Sequence, residues 1–404
     1  MNSFSGLGPS SGFLQSTAWR AALALAVVFV MLAITGWTAV RGTKEDANPL
    51  ATARTAWQHA TFLGRPLPDP QGPPATLRSF FAKLSRGEKQ QLTARYPLVV
   101  GNMGGAPVKL RYRANRMAID DARRIQKGRM HDQRLTPAGR QEAGQLMHRL
   151  SSMMAPGRQI LAFDPAGGGR AAEVFGNLPA AHRVSVVVPG VDVNLSTFER
   201  TARANTAPVG MARALYGAER EARPSARTAV IAWADYTSPP GIGVEAATGQ
   251  LAAAGAVRLR DLVNALPSSD VVSLFCHSYG SVVCGVAARE LPSNVKDIAV
   301  AGSPGMRAEN RSRLGTQARV WAMRDSDDWI QDIPNLEVGG LGHGADPVDP
   351  SFGSRILSAD GAEGHAGYFA PGTRSLRNFA LVGVGATGTV DCASDDPQCR
   401  TELV

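Results

Sequence analysis

The chain has 404 residues, 44% apolar and 19% charged, an ordinary globular usage that excludes a wholly disordered, collagen-like or coiled-coil protein. Basic residues number 43 against 34 acidic, a balance of +9, and the excess is local: Thr76 to Arg158 holds 17 basic and 5 acidic residues. That block is either a solvated face of Arg-rich helices or a contact for anionic headgroups or nucleic acid. No zinc-ligand spacing, Walker loop or RNA-reading aromatic signature accompanies it, so no nucleic-acid partner, metal or organic cofactor is expected.

Residues 1–20 read as a tail. Ala21 to Val40 is a run of 20 residues without a charge, bounded by Arg20 and Arg41, with Trp19 and Trp37 near its ends. At 1.5 Å per residue a helix of that length spans roughly 30 Å, the thickness of a bilayer core, and indole rings favour the interface. The run lacks a small-x-small cleavage site, so it reads as an uncleaved single-pass anchor in the cell membrane rather than a signal peptide. The charges flanking the run do not favour export of the C-terminal part. Cys392 and Cys399, seven apart in an acidic tail, suit a small surface disulfide in an oxidising compartment, and on that ground the catalytic part is expected outside.

Residues 41–76 read as a Pro-rich linker, with Gly64 to Pro74 (GRPLPDPQGPP) unable to hold a helix or an inner strand. Residues 77–155 read as helical and basic. Ser85 and Glu88 have capping-box spacing for a helix that must stop before Pro97, and Thr136-Pro137 is an N-cap with proline at the first helical position. The pattern then changes. Gln159–Phe163, Arg183–Val188, Thr228–Trp233, Val271–Phe275, Ile298–Ala301 and Arg319–Ala322 are short β-branched runs separated mostly by helical or loop stretches. Strands alternating with helices imply a mostly parallel sheet covered on both faces. The exception is the first pair of these runs, between which Gly167-Gly168-Gly169 looks like a turn.

The informative segment is Val271 to Ala288, where a strand enters one tight turn and leaves as a small-residue helix, with Cys276-His277-Ser278-Tyr279-Gly280 at the bend. This is the layout of a nucleophile elbow with Ser278 at its apex. A serine hydroxyl is a poor nucleophile, so it has to stand clear of the sheet to meet a base and a substrate together. Gly280 lets helix and strand approach closely, and Cys276 stands where a first glycine is usual. In such folds the partners follow in the order Ser, acid, His, which leaves His343 and His365. His365, in a loop ahead of a last helix near Ser375 to Val382, is the expected base, and His343 is its rival. Among Asp325, Asp327 and Asp328, Asp328 is the expected acid, because an Asp-x-Ile turn can aim its carboxylate back over the sheet edge. The oxyanion donors are expected to be the backbone N–H groups of Tyr279, at the positive end of the elbow helix, and of Val191, in the loop Pro189-Gly190-Val191.

These pieces together resemble an actinobacterial family of α/β-hydrolases of unknown function, which carries a G-N-x-x-G-x-P…R…A-N-R signature ahead of a G-H-S-Y-G-S elbow. Here the first is Gly101-Asn102-Met103-Gly104-Gly105-Ala106-Pro107, Arg111 and Ala114-Asn115-Arg116, and the second is Cys276 to Ser281. Val188-Pro189-Gly190, Gly302-Ser303-Pro304-Gly305, Asp328-Trp329-Ile330 and Gly364-His365 also match. The resemblance covers roughly residues 77–385 and implies an α/β-hydrolase fold; the hydrolase domain is read over 156–390 and residues 391–404 as an acidic tail. The resemblance further implies a serine hydrolase of esterase or lipase type with Ser278, Asp328 and His365 as its triad. The function read from all of this is a membrane-anchored hydrolase of a small-molecule or lipid ester, working through an acyl-enzyme. The alternatives are a catalytically silent scaffold at the membrane, or an acyltransferase or peptidase on the same triad.

Overall fold

The computed structural model describes residues 48–394, Asp396 and residues 399–401. Ala21–Val40, the expected anchor, lies outside them; among the described residues no helix is long and apolar enough to cross a membrane.

Asn48 caps α1 (Pro49–Gln58) by accepting from the Ala51 N–H, with Pro49 at the first helical position. A short hairpin, β1 (Thr61–Phe62) with β2 (Arg65–Pro66), leads to α2 (Pro74–Ala82). Trp57, Phe62 and Leu67 bury against Leu77 and Phe81 in a small apolar cluster. The described part of 41–76 is therefore folded rather than a linker. Its few apolar anchors lie too far apart to give a periodic signal, and only the Pro-rich stretch 67–73 is irregular. The Ser85–Glu88 capping box opens α3 (Arg86–Arg95), which stops at Tyr96 before α4 (Pro97–Gly101). Two longer helices come next, α5 (Val108–Arg129) and α6 (Pro137–Met153), the latter capped by Thr136.

The central sheet has eight strands in the order β12-β9-β8-β7-β5-β6-β4-β3. They are β3 (Ile160–Asp164), β4 (Arg170–Gly176), β5 (Arg183–Val188), β6 (Thr228–Ala234), β7 (Val271–His277), β8 (Val295–Ala301), β9 (Arg319–Met323) and β12 (Arg355–Ile356). Strand β4 runs antiparallel to both of its neighbours, while the other pairs are parallel. One face packs against α9 (Gln250–Ala265) and the elbow helix α10 (Tyr279–Ala287). The other carries α5, α6, α7 (Pro208–Ala222) and α11 (Arg374–Gly383). Covering on both faces is why the parallel strands read as unbroken apolar runs. Strand β4 gave no such run, because Ala171, Ala172 and a buried Glu173 occupy it. The Glu173 carboxylate is accommodated by an ion pair to Arg158 at 2.5 Å.

The first signature of the sequence has a structural role at the sheet edge. The Asn102 amide pairs with β3 as a strand would, its Nδ2 donating to the Phe163 carbonyl at 2.7 Å and its Oδ1 accepting the Phe163 N–H at 3.0 Å. Arg111 Nη2 donates to the Leu161 carbonyl at 2.9 Å and Asn115 Nδ2 to the Ile160 carbonyl at 3.0 Å. These side chains cover backbone groups that an edge strand otherwise leaves open to another chain.

The other edge is closed by the C-terminal tail. Cys392 and Cys399 form a disulfide, and the Asp396 carboxylate accepts the Ile356 N–H at 2.9 Å. The expected surface disulfide is instead tucked against β12, with Cys399 buried, because the tail continues the sheet beside Leu357.

Candidate active site

Ser278 follows β7, a central strand, and sits at φ +53°, a region that non-glycine residues occupy at a cost of about 1–3 kcal/mol. The cost is met by what the bend allows. The Ser278 N–H donates to the Ala301 carbonyl at 3.0 Å, and its own carbonyl accepts from Ser281 Oγ at 2.6 Å. Gly280 faces the end of β5 so closely that a Cβ there would lie 2.3 Å from the Val188 carbonyl oxygen. Cys276 is more than a small residue: it forms a disulfide with Cys284, stapling the end of β7 to the elbow helix on either side of Ser278.

His365 lies in the turn ahead of α11, with Nε2 at 2.8 Å from Ser278 Oγ. Its Nδ1 lies 2.8 and 3.1 Å from the two oxygens of Asp328. A carboxylate only accepts, so Nδ1 carries the proton and Nε2 is left to accept from the serine hydroxyl. Asp328 is fully buried and follows β9; its carboxylate also accepts the Ile330 N–H at 2.9 Å and the Tyr368 hydroxyl at 2.5 Å. Burial works to raise its pKa, but the hydrogen bonds from His365, Tyr368 and Ile330 outweigh it and hold the carboxyl below the usual range. The other two aspartates have lesser places. Asp325 accepts the Gly364 N–H at 2.8 Å, which ties the acid loop to the histidine loop, and Asp327 is exposed.

The loop after β5 runs directly beside the serine: a Cβ on Gly190 would stand 2.7 Å from Ser278 Cβ. Tyr236 holds that loop, its hydroxyl lying 2.6 Å from the Pro189 carbonyl and 2.9 Å from that of Gly190. The next N–H is that of Val191. Tyr279 is the first residue of α10, so its N–H has no partner within the helix and points toward the bend. Neither N–H has a hydrogen-bond partner among the described residues.

His343 does not reach Ser278. Its Nε2 donates to the Ala246 carbonyl at 2.7 Å and its ring stands edge-on to Tyr279, whose hydroxyl donates to Thr248 at 3.0 Å. Both side chains anchor the segment carrying α8 (Val244–Ala247) beside the site. His277, adjacent to the serine, is buried and donates Nε2–H to the His365 carbonyl at 2.6 Å. Burial, reinforced by the nearby His365 ring, pushes its pKa down to about 3, so it stays neutral. Gly302, at φ +54°, floors the pair: a Cβ there would meet Asp328 Oδ2 at 2.8 Å and His365 Nδ1 at 3.1 Å. The residue types of His277, Tyr368 and Gly302 alone gave no sign of these roles; only the pairing of β7, β8 and the last turn brings them under the histidine.

Large exposed apolar side chains lie on segments that lead away from this centre, and one of them touches it. The Trp329 ring is 4.6 Å from that of His365. Ile242 lies on a loop that Asp192 holds through the Gly241 N–H at 2.7 Å, and Val244 is the first residue of α8. Leu336 and Leu341 lie around the hairpin β10 (Glu337–Val338) with β11 (Leu341–Gly342), and Leu341 bridges to Thr248.

This sheet order, with a serine elbow after β7, an acid after β9 and a histidine after β12, is the α/β-hydrolase fold. A family described as alpha/beta hydrolase matches residues 164–338, which include Ser278 and Asp328. Two uncharacterized proteins of Mycobacterium tuberculosis, from strains CDC 1551 and H37Rv, are 26% identical over 391 residues, covering 80% of this chain. The chain spans 58% of the length of these curated relatives. Among solved structures, an α/β serine hydrolase without lid from Xanthomonas campestris aligns with 15% identity and a TM-score of 0.29, over 44% of this chain and 74% of its own. An α/β serine hydrolase homologue from Coxiella burnetii aligns with 12% identity and a TM-score of 0.32, over 58% and 98%.

Proposed function

We propose that the protein is a serine hydrolase that cleaves an ester with an apolar acyl group through an acyl-enzyme. The observation that carries this reading is the unbroken chain Asp328–His365–Ser278, with His365 Nε2 at 2.8 Å from the hydroxyl. In this reading Ser278 Oγ attacks the carbonyl while Nε2 takes its proton, and the alkoxide leaves with that proton. Water, deprotonated by the same nitrogen, then releases the acid. Asp328 keeps the imidazole in its useful tautomer and stabilises the cation that forms. The N–H groups of Tyr279 and Val191 receive the oxyanion; removal of one such donor costs about 3 kcal/mol in other hydrolases. The exposed Trp329 ring beside His365 supports an apolar acyl group.

The placement is part of the same proposal. Ala21–Val40 anchors the chain in the cell membrane, and the catalytic part faces an oxidising exterior, where two cystines persist. The mycobacterial relatives support kinship with the actinobacterial family that the motifs resemble.

The test is labelling of the full chain with a fluorophosphonate, which reports an activated serine without knowledge of the substrate. Labelling is expected to vanish in Ser278→Ala and persist in Ser281→Ala, whose hydroxyl is engaged with Ser303 Oγ at 2.7 Å. Folded wild-type protein that takes no label would instead mark a silent scaffold.

A further inference from the structure

A second polar centre lies away from Ser278. A half-open cavity of about 400 Å³ is lined by the sheet face at Ala162 and Trp233, by α9, by the carboxylates of Asp235 and Asp261, and by N-terminal segments carrying Arg54 and Arg111. Two of its arginines are matched: Arg258 pairs with Asp235 at 2.5 Å, and Arg260 with Asp261 at 3.1 Å and Glu290 at 2.5 Å. The other two are not. Arg111 is only 7% exposed, and its guanidinium touches nothing but carbonyls, through Nε to Gly101 at 3.2 Å and Nη2 to Leu161 at 2.9 Å. Its Nη1 has no partner among the described residues, and burial, opposed only by the more distant charge of Asp235, pulls its pKa down to about 10. Arg54, half-buried, feels Asp164 and Asp235 at a distance but makes no ion pair or hydrogen bond among the described residues. Trp233 is 1% exposed, and its Nε1–H is buried without an acceptor.

Partly buried guanidinium charge with carboxylates only at a distance is costly, and an unmet indole N–H adds to that cost. Two planar guanidiniums and a neutral donor around one space form a donor set for an oxyanion. Guanidinium forks match phosphate oxygens bidentately. The volume exceeds that of a bare phosphate and leaves room for the group that carries it.

We infer that this cavity binds a phosphate ester, its phosphoryl oxygens held by Arg54 and Arg111 with Trp233 Nε1–H as a third donor. The phosphoryl group belongs either to a small soluble phosphoester or to a lipid headgroup. The site is separate from the ester-cleaving centre, and its occupancy does not depend on Ser278.

The experiment is isothermal titration of the full chain with glycerol 1-phosphate, and with dihexanoyl phosphatidylglycerol below its micelle concentration. One saturable site is expected for at least one of them, weakened tenfold or more by Arg54→Ala and several-fold by Trp233→Phe, which keeps the ring and removes the donor. Turnover of a p-nitrophenyl ester by Arg54→Ala should match that of the parent. Binding of the phosphomonoester alone assigns a soluble ligand, and binding of the phospholipid alone assigns a headgroup. No saturable binding of either probe, or binding that both variants leave unchanged, overturns the inference.

Discussion

Two polar clusters of the sheet, one at the central strand β7 and one at the edge strand β3, bury similar side chains to opposite effect. At β3, Asn102, Arg111 and Asn115 direct their donors to backbone carbonyls, so the polar atoms complete a strand that lacks a neighbour. At β7 the side chains satisfy one another in series. Tyr368 and Ile330 donate to Asp328, Asp328 accepts from His365, and His365 faces a hydroxyl held at a strained bend. A buried polar cluster is structural when its hydrogen bonds close on the backbone. It is a candidate for chemistry when they converge on a buried carboxylate and leave a single movable proton on the far side of an imidazole.

The largest effects should come from breaking that series. Ser278→Ala and His365→Ala are each expected to reduce ester turnover by about 10⁴-fold or more, measured with p-nitrophenyl esters of increasing chain length. His343→Ala should retain most of the activity and lose some stability, because His343 holds Ala246 rather than the serine. Full activity in His365→Ala would remove the proposed base. Asp328→Asn should cost about 10²–10⁴-fold in kcat with little change in KM, since it disturbs the histidine tautomer and not the substrate's seat.

The contrast between the two clusters also explains what was legible in the sequence. Strands buried on both faces announce themselves as β-branched runs, and the bend at Ser278 is written in consecutive residues. Strand β4 was hidden because Glu173 interrupts it, its charge matched by Arg158 from outside the strand. Strand β12 has two residues and owes its pairing to β9 and the C-terminal tail. The Cys276–Cys284 staple joins residues eight apart on a strand and a helix, where spacing alone does not reveal proximity. Asn102 and Arg111 stood out as a motif, but their role depends on a strand 50 to 61 residues further on.

A smaller effect distinguishes two buried titratable groups by the sign of their pH dependence. His277 has a folded pKa near 3 against an ordinary 6.5, so between those values the unfolded chain binds a proton that the folded one refuses. Stability therefore falls on acidification through that window, by up to about 1.4 kcal/mol per pH unit. Glu219, buried against Ser185, is pushed by burial up to about 8 from an ordinary 4.5, so the folded chain holds the extra proton. Its contribution is present below pH 4.5 and is lost as pH rises toward 8. The two slopes oppose each other between pH 4.5 and 6.5 and leave a plateau there. Denaturation midpoints measured across pH should show the acid side flattened in His277→Gln and the alkaline side flattened in Glu219→Gln.

The last prediction concerns the β3 cluster, where no catalysis is at stake. Asn102→Leu keeps the volume but leaves the Phe163 N–H and carbonyl, in a residue with no exposed surface, without their partners. Each orphaned backbone group costs about 1–3 kcal/mol, so a loss of about 2–6 kcal/mol in unfolding free energy is expected by urea denaturation. Ester turnover per folded molecule should stay within a few-fold of the parent, because β3 lies at the sheet's edge and β7 near its centre. A large fall in kcat without loss of stability would mean that the edge clamp and the elbow are coupled, and the separation drawn between the two clusters would fail.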